Sequence, residues 1–255
     1  MPRQKQGKTL AHLRTYLNKM KIAIMQPYFF PYLGYFQLIN AVDIFIVYDN
    51  IQFTKKGWGR RNRMLLNGKA KMFSLPLKNA SGFLDIKERC LADDYLLTNK
   101  KTLRQLENAY SKAPHFHKVF PLLQRCFLFK KHDNLFDFLL FSINEICSFL
   151  EIESTIKISS VLDDEGECLR NKKRIIRLCE KLNATMYINP IGGQQLYDKS
   201  EFDEQGLILK FLKMHKIQYQ QLDSMNFIPN LSIIDVMMFN DKSTIKNFLG
   251  NYDLV

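Results

Sequence analysis

The aromatic segment at 26–36 holds the first residues whose types and spacing could do chemistry. It follows an apolar run at 21–27 that predicts a buried strand, and it leads into residues 33–41, which predict a short helix. Ligands of open α/β sheets bind where a strand ends, and a helix N-terminus offers unpaired N–H groups to an anion. For each single aromatic residue, simple packing is the alternative. The candidates for substrate binding are Gln26, Pro27 and Gly34, and the candidates for stabilising negative charge in catalysis are Tyr32 and Tyr35.

The spacing Tyr32-x-Gly34-Tyr35 stands where nucleotidyltransferases and pantothenate-synthetase-like ligases carry an HxGH signature after their first strand. In those proteins the histidines stabilise a transferring phosphoryl group. A tyrosine can donate a hydrogen bond, but its pKa of about 10 prevents it from acting as a cation near neutral pH. The position therefore favours a nucleotidyltransferase or HUP-like architecture and leaves adenylate chemistry unsupported.

A second set of candidates is basic and follows a strand predicted at 43–49. In a parallel sheet this segment and the aromatic segment leave the same edge. The flat ring of the single tryptophan can stack on a base or a sugar, and guanidinium groups match phosphate oxygens. A solvated surface loop is the alternative, above all for Lys55 and Lys56. The candidates for substrate binding are Trp58, Arg61, Asn62 and Arg63, and Asp49 is a candidate proton acceptor.

Two further sets also follow predicted strands. Paired glycines permit positive φ and a close approach to a ligand, although ordinary turns use the same residues. Asp198 is a candidate general base or amine anchor, and capping of the next helix is an equal alternative. The substrate-binding candidates in these sets are Gly192, Gly193, Tyr197, Ser159 and Ser160, the serines being equally able to end a strand. Near the C-terminus, Ser232 and Asp235 predict a capping-box helix start.

Composition limits the class of protein. The chain has 255 residues, of which 46% are hydrophobic, and this excludes an intrinsically disordered protein. No apolar stretch reaches the roughly 20 residues of a membrane helix, so we expect no stable membrane insertion. Five cysteines without a CxxC pair indicate reduced thiols in a cytoplasmic protein, and no metal site is predicted. The net charge is +12, and the seven cations at 55–71 have no acidic residue among them, a pattern that attracts nucleic acid, a membrane surface or a phosphorylated small molecule.

The order of patterns predicts an α/β fold, with a mostly parallel sheet, flanking helices and an all-helical insert of three helices at approximately 93–150. We interpret 1–19 as a basic leader that need not be ordered, with Met20 as the expected true start, and 20–255 as one domain. Further strands are predicted at 71–77, 155–160, 184–188 and 207–212, and further helices at 168–182, 232–239 and 242–249.

Most of the sequence from Met20 onward resembles the WbqC-like protein family. The opening motif Lys-Ile-Ala-Ile-Met-Gln-Pro-Tyr-Phe-Phe-Pro-Tyr-Leu-Gly-Tyr-Phe is its most specific signature. Further matching positions are Asp43, Tyr48-Asp49, Arg61-Asn62, Tyr110-x-x-Ala113-Pro114, the diglycine stretch through Tyr197, and Leu231-Ser232-Ile233-x-Asp235. The resemblance implies a bacterial cytoplasmic protein encoded among genes for O-antigen or other surface polysaccharide. It also implies work on nucleotide-linked sugars, often amino sugars.

Three functions follow as hypotheses. The first is a transferase or ligase that forms an amide on the amino group of a nucleotide-linked amino sugar, with aminoacyl-tRNA, acyl-CoA, or ATP plus a free acid as the possible acyl donor. The second is a non-catalytic scaffold or carrier in a polysaccharide assembly complex. The third is nucleic-acid binding through the basic segment. The oligomeric state stays open.

Overall fold

A six-stranded sheet forms the centre of the computed structural model, which describes residues 20–130, 133–163, 172–222 and 226–255. The expected leader at 1–19 lies outside these residues. The described strands are β1 (Lys21–Met25), β2 (Ile44–Val47), β3 (Arg61–Leu66), β4 (Lys69–Ser74), β5 (Thr155–Ile158), β6 (Met186–Pro190), β7 (Ile208–Met214) and β8 (Tyr252–Leu254). The sheet order is β5–β2–β1–β6–β7–β8, and only β8 runs antiparallel to its neighbour.

Helices cover both faces of this sheet. The described α-helices are α1 (Leu33–Asn40), α2 (Tyr95–Tyr110), α3 (Phe116–Phe127), α4 (Leu135–Leu150), α5 (Ser159–Leu162), α6 (Lys172–Lys181), α7 (Lys199–Asp203), α8 (Ile233–Phe239) and α9 (Lys242–Leu249). Short 3₁₀ helices span Ile86–Glu88 and Ile191–Leu196. In the described part of the chain, no helix has both the length and the apolarity needed to cross a membrane. The predicted α/β class with a mostly parallel sheet and flanking helices is confirmed.

The strand order has a topological switch point. The chain builds outward from β1 through β2 to β5, and then returns to add β6 and β7 on the other side of β1. The segments that leave β1 and β6 therefore diverge to opposite faces and open a crevice at the carboxyl edge. Such crevices are where open α/β sheets bind their ligands.

Alternate side chains of β1 point to opposite faces of the sheet and pack into two separate cores. Ala23 packs into the larger core, which includes residues of α1 to α4, α8 and α9. Ile22 and Ile24 point to the opposite face and pack into a smaller core with residues of α6 and α7. Because β1 is buried on both faces, its sequence is continuously apolar from Ile22 to Met25, as expected for a central parallel strand.

The three helices predicted between 93 and 150 are present as α2, α3 and α4, and they pack on the larger core. The aromatic segment is part of that contact. The ring of Phe127, at the end of α3, stacks on Phe30 with centroids 4.7 Å apart and lies 5.8 Å from Phe29. The helical segment therefore helps to hold the turn after β1 in place.

Several elements differ from the prediction. The strand predicted at 155–160 ends at Ile158, where α5 begins, β8 was not predicted, and the helix predicted at 168–182 is described only from Lys172 onward. The strand expected at 71–77 is β4, which ends at Ser74 and pairs with β3 as an antiparallel hairpin outside the main sheet. Asn67 and Gly68 form its turn with φ of 51° and 68°, the left-handed values that an Asn-Gly pair adopts in tight hairpins. Arg61, Asn62 and Arg63 consequently lie in a strand, although the sequence had suggested a loop. The Asn-Gly pair is the signal that identifies this hairpin.

Candidate functional site

A cavity of about 630 Å³ lies at the switch point. Its walls come from the turn after β1, the start of α1, the hairpin, the end of β6 and the end of β7. The side chains and backbone that give it chemical character are Tyr28, Tyr32, Trp58, Arg63, Gly192 and Lys213. We call it the switch-point cavity.

Backbone hydrogen bonds bring the aromatic segment and the hairpin together. Phe29 donates its N–H to the Trp58 carbonyl at 3.1 Å. The buried Asn62 amide donates to the carbonyls of Phe29 and Phe30 at 3.0 and 2.6 Å, and its oxygen accepts the N–H of Arg63. Phe30 has a φ of 44°, a strained value that these bonds stabilise. Asn62 therefore positions the turn, and its side-chain amide is already occupied.

The tyrosines of this turn divide between the cavity and the core. Tyr32 lies in the cavity wall, and burial raises the pKa of its hydroxyl, so the group is a neutral hydrogen-bond donor. Tyr35 is fully buried and donates its hydroxyl to the Gln26 carbonyl at 3.2 Å, away from the cavity. Tyr28, which sequence reasoning did not select, lines the cavity instead and receives a hydrogen bond from the Gln26 side chain at 3.3 Å.

Gly34 is required by the ring of Tyr32. A Cβ atom at Gly34 would lie 2.4 Å from Cε2 of that ring, a distance that no real contact shows. The glycine thus allows Tyr32 to lie flat over the first turn of α1 and to form the cavity wall. Pro27 is buried beneath this turn and ends β1.

Two cations and one tryptophan form the opposite wall. Trp58 is 41% exposed, and the guanidinium carbons of Arg61 and Arg63 lie 5.9 and 5.8 Å from its ring centroid. Arg63 lines the cavity and donates to the Asn230 carbonyl at 3.0 Å, whereas Arg61 bonds to carbonyls of its own loop and is not part of the lining. Lys213 of β7 is the second cation of the lining. No local pattern in the sequence had pointed to it.

Asp49 forms a closed cluster with Ser159 and Ser160, apart from the cavity lining. Its carboxylate accepts hydrogen bonds from the Ser159 hydroxyl at 2.7 Å, the Ser160 N–H at 2.9 Å and the Ser160 hydroxyl. The Asp49 N–H in turn donates to Ser159. The Asp49 cluster therefore joins the carboxyl ends of β2 and β5.

The diglycine segment forms the 3₁₀ helix after β6. Gly192 lines the switch-point cavity, and a Cβ there would meet open space. At Gly193 a Cβ would lie 2.3 Å from the amide nitrogen of Asn189, so this glycine serves close packing. A side chain would therefore fit at Gly192 but would clash with Asn189 at Gly193.

Tyr197 and Asp198 line a second cavity, also of about 630 Å³. The Asp198 carboxylate accepts the Ser200 N–H at 3.0 Å and caps α7, and this hydrogen bond lowers the pKa of the carboxyl. Asp198 thus makes the contact expected of a helix cap, which was one of the two alternatives for it. Asp198 is not part of the switch-point lining.

A buried carboxylate that sequence reasoning assigned to a helix cap instead joins three segments of the chain. Asp235 accepts the hydroxyls of Tyr110 and Tyr219 at 2.9 and 2.7 Å and the Gln221 amide at 2.8 Å. Burial raises its pKa. Tyr110 also accepts the N–H of Leu65 in β3, which links α8 to the hairpin. An aspartate flanked by Ile233, Ile234, Val236 and Met237 was the available signal, because such a helix segment must be buried.

Within the described ranges, no three His, Cys, Asp or Glu side chains group as a metal site. The lining of the switch-point cavity contains no carboxylate, imidazole or thiol. Its chemistry is therefore that of aromatic faces, neutral hydroxyls and two cations.

Comparison with known proteins agrees with the resemblance. The model of the WbqC-like protein family matches residues 26–247. A protein of Mycobacterium tuberculosis, described as uncharacterized protein Rv1507c, is 31% identical over 235 residues, covering 90% of this chain and 97% of the relative. No solved structure matches. The family association is with gene clusters for O-antigen and other polysaccharide biosynthesis. On the extent of the family match and the identity of this relative, the chain belongs to the WbqC-like protein family.

Proposed function

We propose that the protein binds a nucleotide-linked amino sugar in the switch-point cavity and forms an amide on the sugar's amino group. The observation that carries the proposal is the pairing of aromatic faces with two cations at the switch point of the sheet. Flat rings suit a base and a sugar, and cations suit a diphosphate. The volume of about 630 Å³ is in the usual range for small-molecule sites.

Each side chain of the lining has a part in this proposal. Arg63 and Lys213 hold the diphosphate, and the exposed face of Trp58 stacks on the base. The hydroxyls of Tyr28 and Tyr32 stay neutral, because burial raises the pKa of both, and they donate to the oxyanion that forms as the amine adds to the acyl carbon. The leaving group then departs with its electron pair, and the amine proton passes to the leaving group or to water.

The proposal assigns the amine proton to neither Asp49 nor Asp198. The Asp49 carboxylate is occupied by the two serines, and Asp198 caps α7 in the second cavity. Aminoacyl-tRNA, acyl-CoA, and ATP with a free acid are all compatible with the lining as donors.

Trp58, the sole tryptophan of the chain, stands in the cavity wall, so its fluorescence reports on binding at that wall. We would titrate the protein with dTDP- and UDP-linked amino sugars and follow Trp58 emission. Arg63→Gln is expected to weaken binding by about tenfold or more, because it removes a charged hydrogen-bond donor. Lys173→Gln, which makes the same charge change at an exposed position of α6, should leave the affinity unchanged. Unchanged emission at saturating sugar, or equal affinity in both variants, would contradict the proposal.

A non-catalytic carrier is the second candidate, and one observation favours it: the lining has no carboxylate, imidazole or thiol. Such a carrier would bind the nucleotide sugar with the same dependence on Arg63. Mass spectrometry of the sugar after incubation with each donor class separates the two functions. A mass increase that requires the protein supports the amide-forming enzyme, and binding without any mass increase supports the carrier.

A further inference from the structure

Five residues other than glycine have a left-handed backbone in the described part of the chain, and two of them stand beside the switch-point cavity. Asn67 lies in the hairpin turn, and Glu151 and Asn183 follow α4 and α6, where such a backbone is common. Phe30 and Asn230 have φ of 44° and 56°, but they lie in no hairpin turn and follow no helix. Strain of this kind, which no turn or helix end explains, concentrates at functional sites.

Asn230 holds the guanidinium group of Arg63. Its carbonyl accepts a hydrogen bond from Arg63 at 3.0 Å, and both residues line the cavity. The Asn230 side chain is exposed and has no hydrogen bond within the described residues, so its amide does not explain the strained backbone. Asparagine is one of the few residue types besides glycine that adopt this conformation readily. The contact that the left-handed backbone makes is thus the hydrogen bond between the Asn230 carbonyl and Arg63.

Ser232, two residues further on, fixes this segment to both walls of the cavity. Its N–H donates to the Arg63 carbonyl at 2.9 Å, and its fully buried hydroxyl donates to the Phe30 carbonyl at 2.8 Å. The N–H of Ile233 donates to the Pro31 carbonyl at 2.9 Å. Capping of α8, which the sequence predicted for Ser232, is therefore not its only role, because Ser232 also joins the hairpin to the turn after β1.

Arg63 is fixed at its backbone and at its guanidinium, unlike the other cation of the lining. Its N–H donates to Asn62 Oδ1 at 2.8 Å, its carbonyl accepts from Ser232, and its guanidinium donates to Asn230. Lys213 is exposed, and its ammonium has neither a hydrogen bond nor an ion pair within the described residues. A carbonyl orients a guanidinium without neutralising it. A side chain that is already held loses less conformational freedom when a ligand binds.

We propose that Asn230 is a positioning residue: its left-handed backbone holds the Arg63 guanidinium ready for the diphosphate of the bound nucleotide. The inference rests on the proposed function, because it names what orients the anion-binding side chain of that site. Asn230 brings no charge of its own and acts through Arg63. A guanidinium set in this way favours phosphate oxygens at its wall of the cavity, because its charge and geometry are in place before the ligand arrives.

The test compares Asn230→Gly with Asn230→Ala in the full chain. Both changes remove the side-chain amide, but glycine adopts a positive φ without cost and alanine does not. Titration of Trp58 emission with dTDP should show wild-type affinity in the Gly variant and about tenfold weaker binding in the Ala variant. Thymidine, which has no phosphate, should bind equally to both. Equal losses of dTDP affinity would assign the contact to the amide itself and overturn the inference, as would wild-type affinity in both variants.

Two further comparisons separate positioning from a general structural effect. In the Arg63→Gln background the difference between the Asn230 variants should disappear, whereas in the Lys213→Gln background it should persist. Asn183 is the matched control, an exposed asparagine with φ of 52° after α6, and the same two substitutions there should leave dTDP affinity unchanged. A difference that persists without Arg63, or one that the Asn183 variants reproduce, overturns the inference.

The emission of the ligand-free protein keeps this inference separable from the proposed function. The Arg63 guanidinium carbon lies 5.8 Å from the Trp58 ring centroid, so displacement of Arg63 should shift the emission of the free protein. We expect this shift in Asn230→Ala, not in Asn230→Gly, and in neither variant when Arg63 is Gln. If the shift is present but no nucleotide or nucleotide sugar binds, the proposed function alone fails. If dTDP binding depends on Arg63 but the Asn230 variants differ in neither affinity nor emission, the positioning role alone fails.

Discussion

The switch-point cavity and the Asp49 cluster lie at the carboxyl edge of one sheet and use polar groups in opposite ways. In the cavity, cations and hydroxyls face open space, and no carboxylate is present. In the cluster, one carboxylate is enclosed by two serines that occupy its oxygens. Polar residues at a strand end can therefore form either a ligand site or a hydrogen-bonded link between two strands. The two cases differ in whether the polar atoms already have partners within the protein.

The largest effect should come from Asp49→Ala. The change removes a buried acceptor of several hydrogen bonds, leaves the Ser160 hydroxyl without its partner and leaves the Ser159 hydroxyl with Asn50 as its acceptor, at a cost of about 3 kcal/mol in the free energy of unfolding. Urea denaturation followed by circular dichroism measures this loss. Asp198→Ala is the matched control and should cost about 1 kcal/mol, as expected for a helix cap. If Asp49→Ala weakened sugar binding at Trp58 while stability stayed unchanged, Asp49 would belong to the binding site and not to a structural cluster.

Gly34→Ala should affect the cavity alone. The new methyl group forces the Tyr32 ring out of its position, so we expect about tenfold weaker sugar binding, or about 1.4 kcal/mol. The fluorescence titration of Trp58 measures it. Gly82→Ala is the control, because a Cβ there meets nothing within 4 Å. Equal affinities in the two variants would show that Tyr32 is not part of the binding surface.

Matched Tyr→Phe changes test, within a single turn, which tyrosine stabilises the fold and which one binds the sugar. Tyr35→Phe removes a buried hydrogen bond to the Gln26 carbonyl and should cost about 1 kcal/mol of stability without affecting sugar affinity. Tyr32→Phe should have the reverse pattern, with stability unchanged and affinity lower by about threefold to tenfold. Urea denaturation and the Trp58 titration, applied to both variants, measure the two effects. If Tyr35→Phe weakened sugar binding and Tyr32→Phe lowered stability, the roles assigned to the two tyrosines would be wrong.

The effect confined to acid pH concerns a third carboxylate, Asp163, which is held by cations instead of hydroxyls. Hydrogen bonds from Arg177, with support from Lys181, lower its pKa from 3.8 to about 2. Because the unfolded chain binds the proton more readily, the stability from this carboxylate is complete above pH 3.8 and is lost as pH falls toward 2. Asp163→Asn should reduce the acid dependence of thermal unfolding in that window. Wild-type acid dependence in the variant would contradict this assignment.

Sequence patterns predicted much of the framework for physical reasons. Continuous apolar runs identify β1 and β2 because both faces of these strands are buried, and three- to four-residue spacing identifies α2 to α4. The edge strand β8 was not predicted, since three residues give too short a pattern. The hairpin was missed because a pairing between strands is not local, although its Asn-Gly turn was visible.

The candidate site was harder to predict than the framework. In an irregular turn, the direction of each side chain depends on the backbone angles, and periodicity does not apply. Tyr28 lines the cavity while Tyr35 enters the core with α1, although their ring centroids are only 5.6 Å apart, so two tyrosines of similar appearance have different environments. Lys213 was missed for another reason, because only the return of the chain to β7 brings it to the cavity.

Asn62 has a consequence for any attempt to move this recognition surface to another protein. One amide fixes two successive carbonyls of the turn after β1, and it lies in a hairpin more than thirty positions away. Transplanting the tyrosine turn by itself would leave those carbonyls without donors and Phe30 without its support. The turn and the hairpin would therefore have to be grafted, swapped or redesigned as one inseparable module.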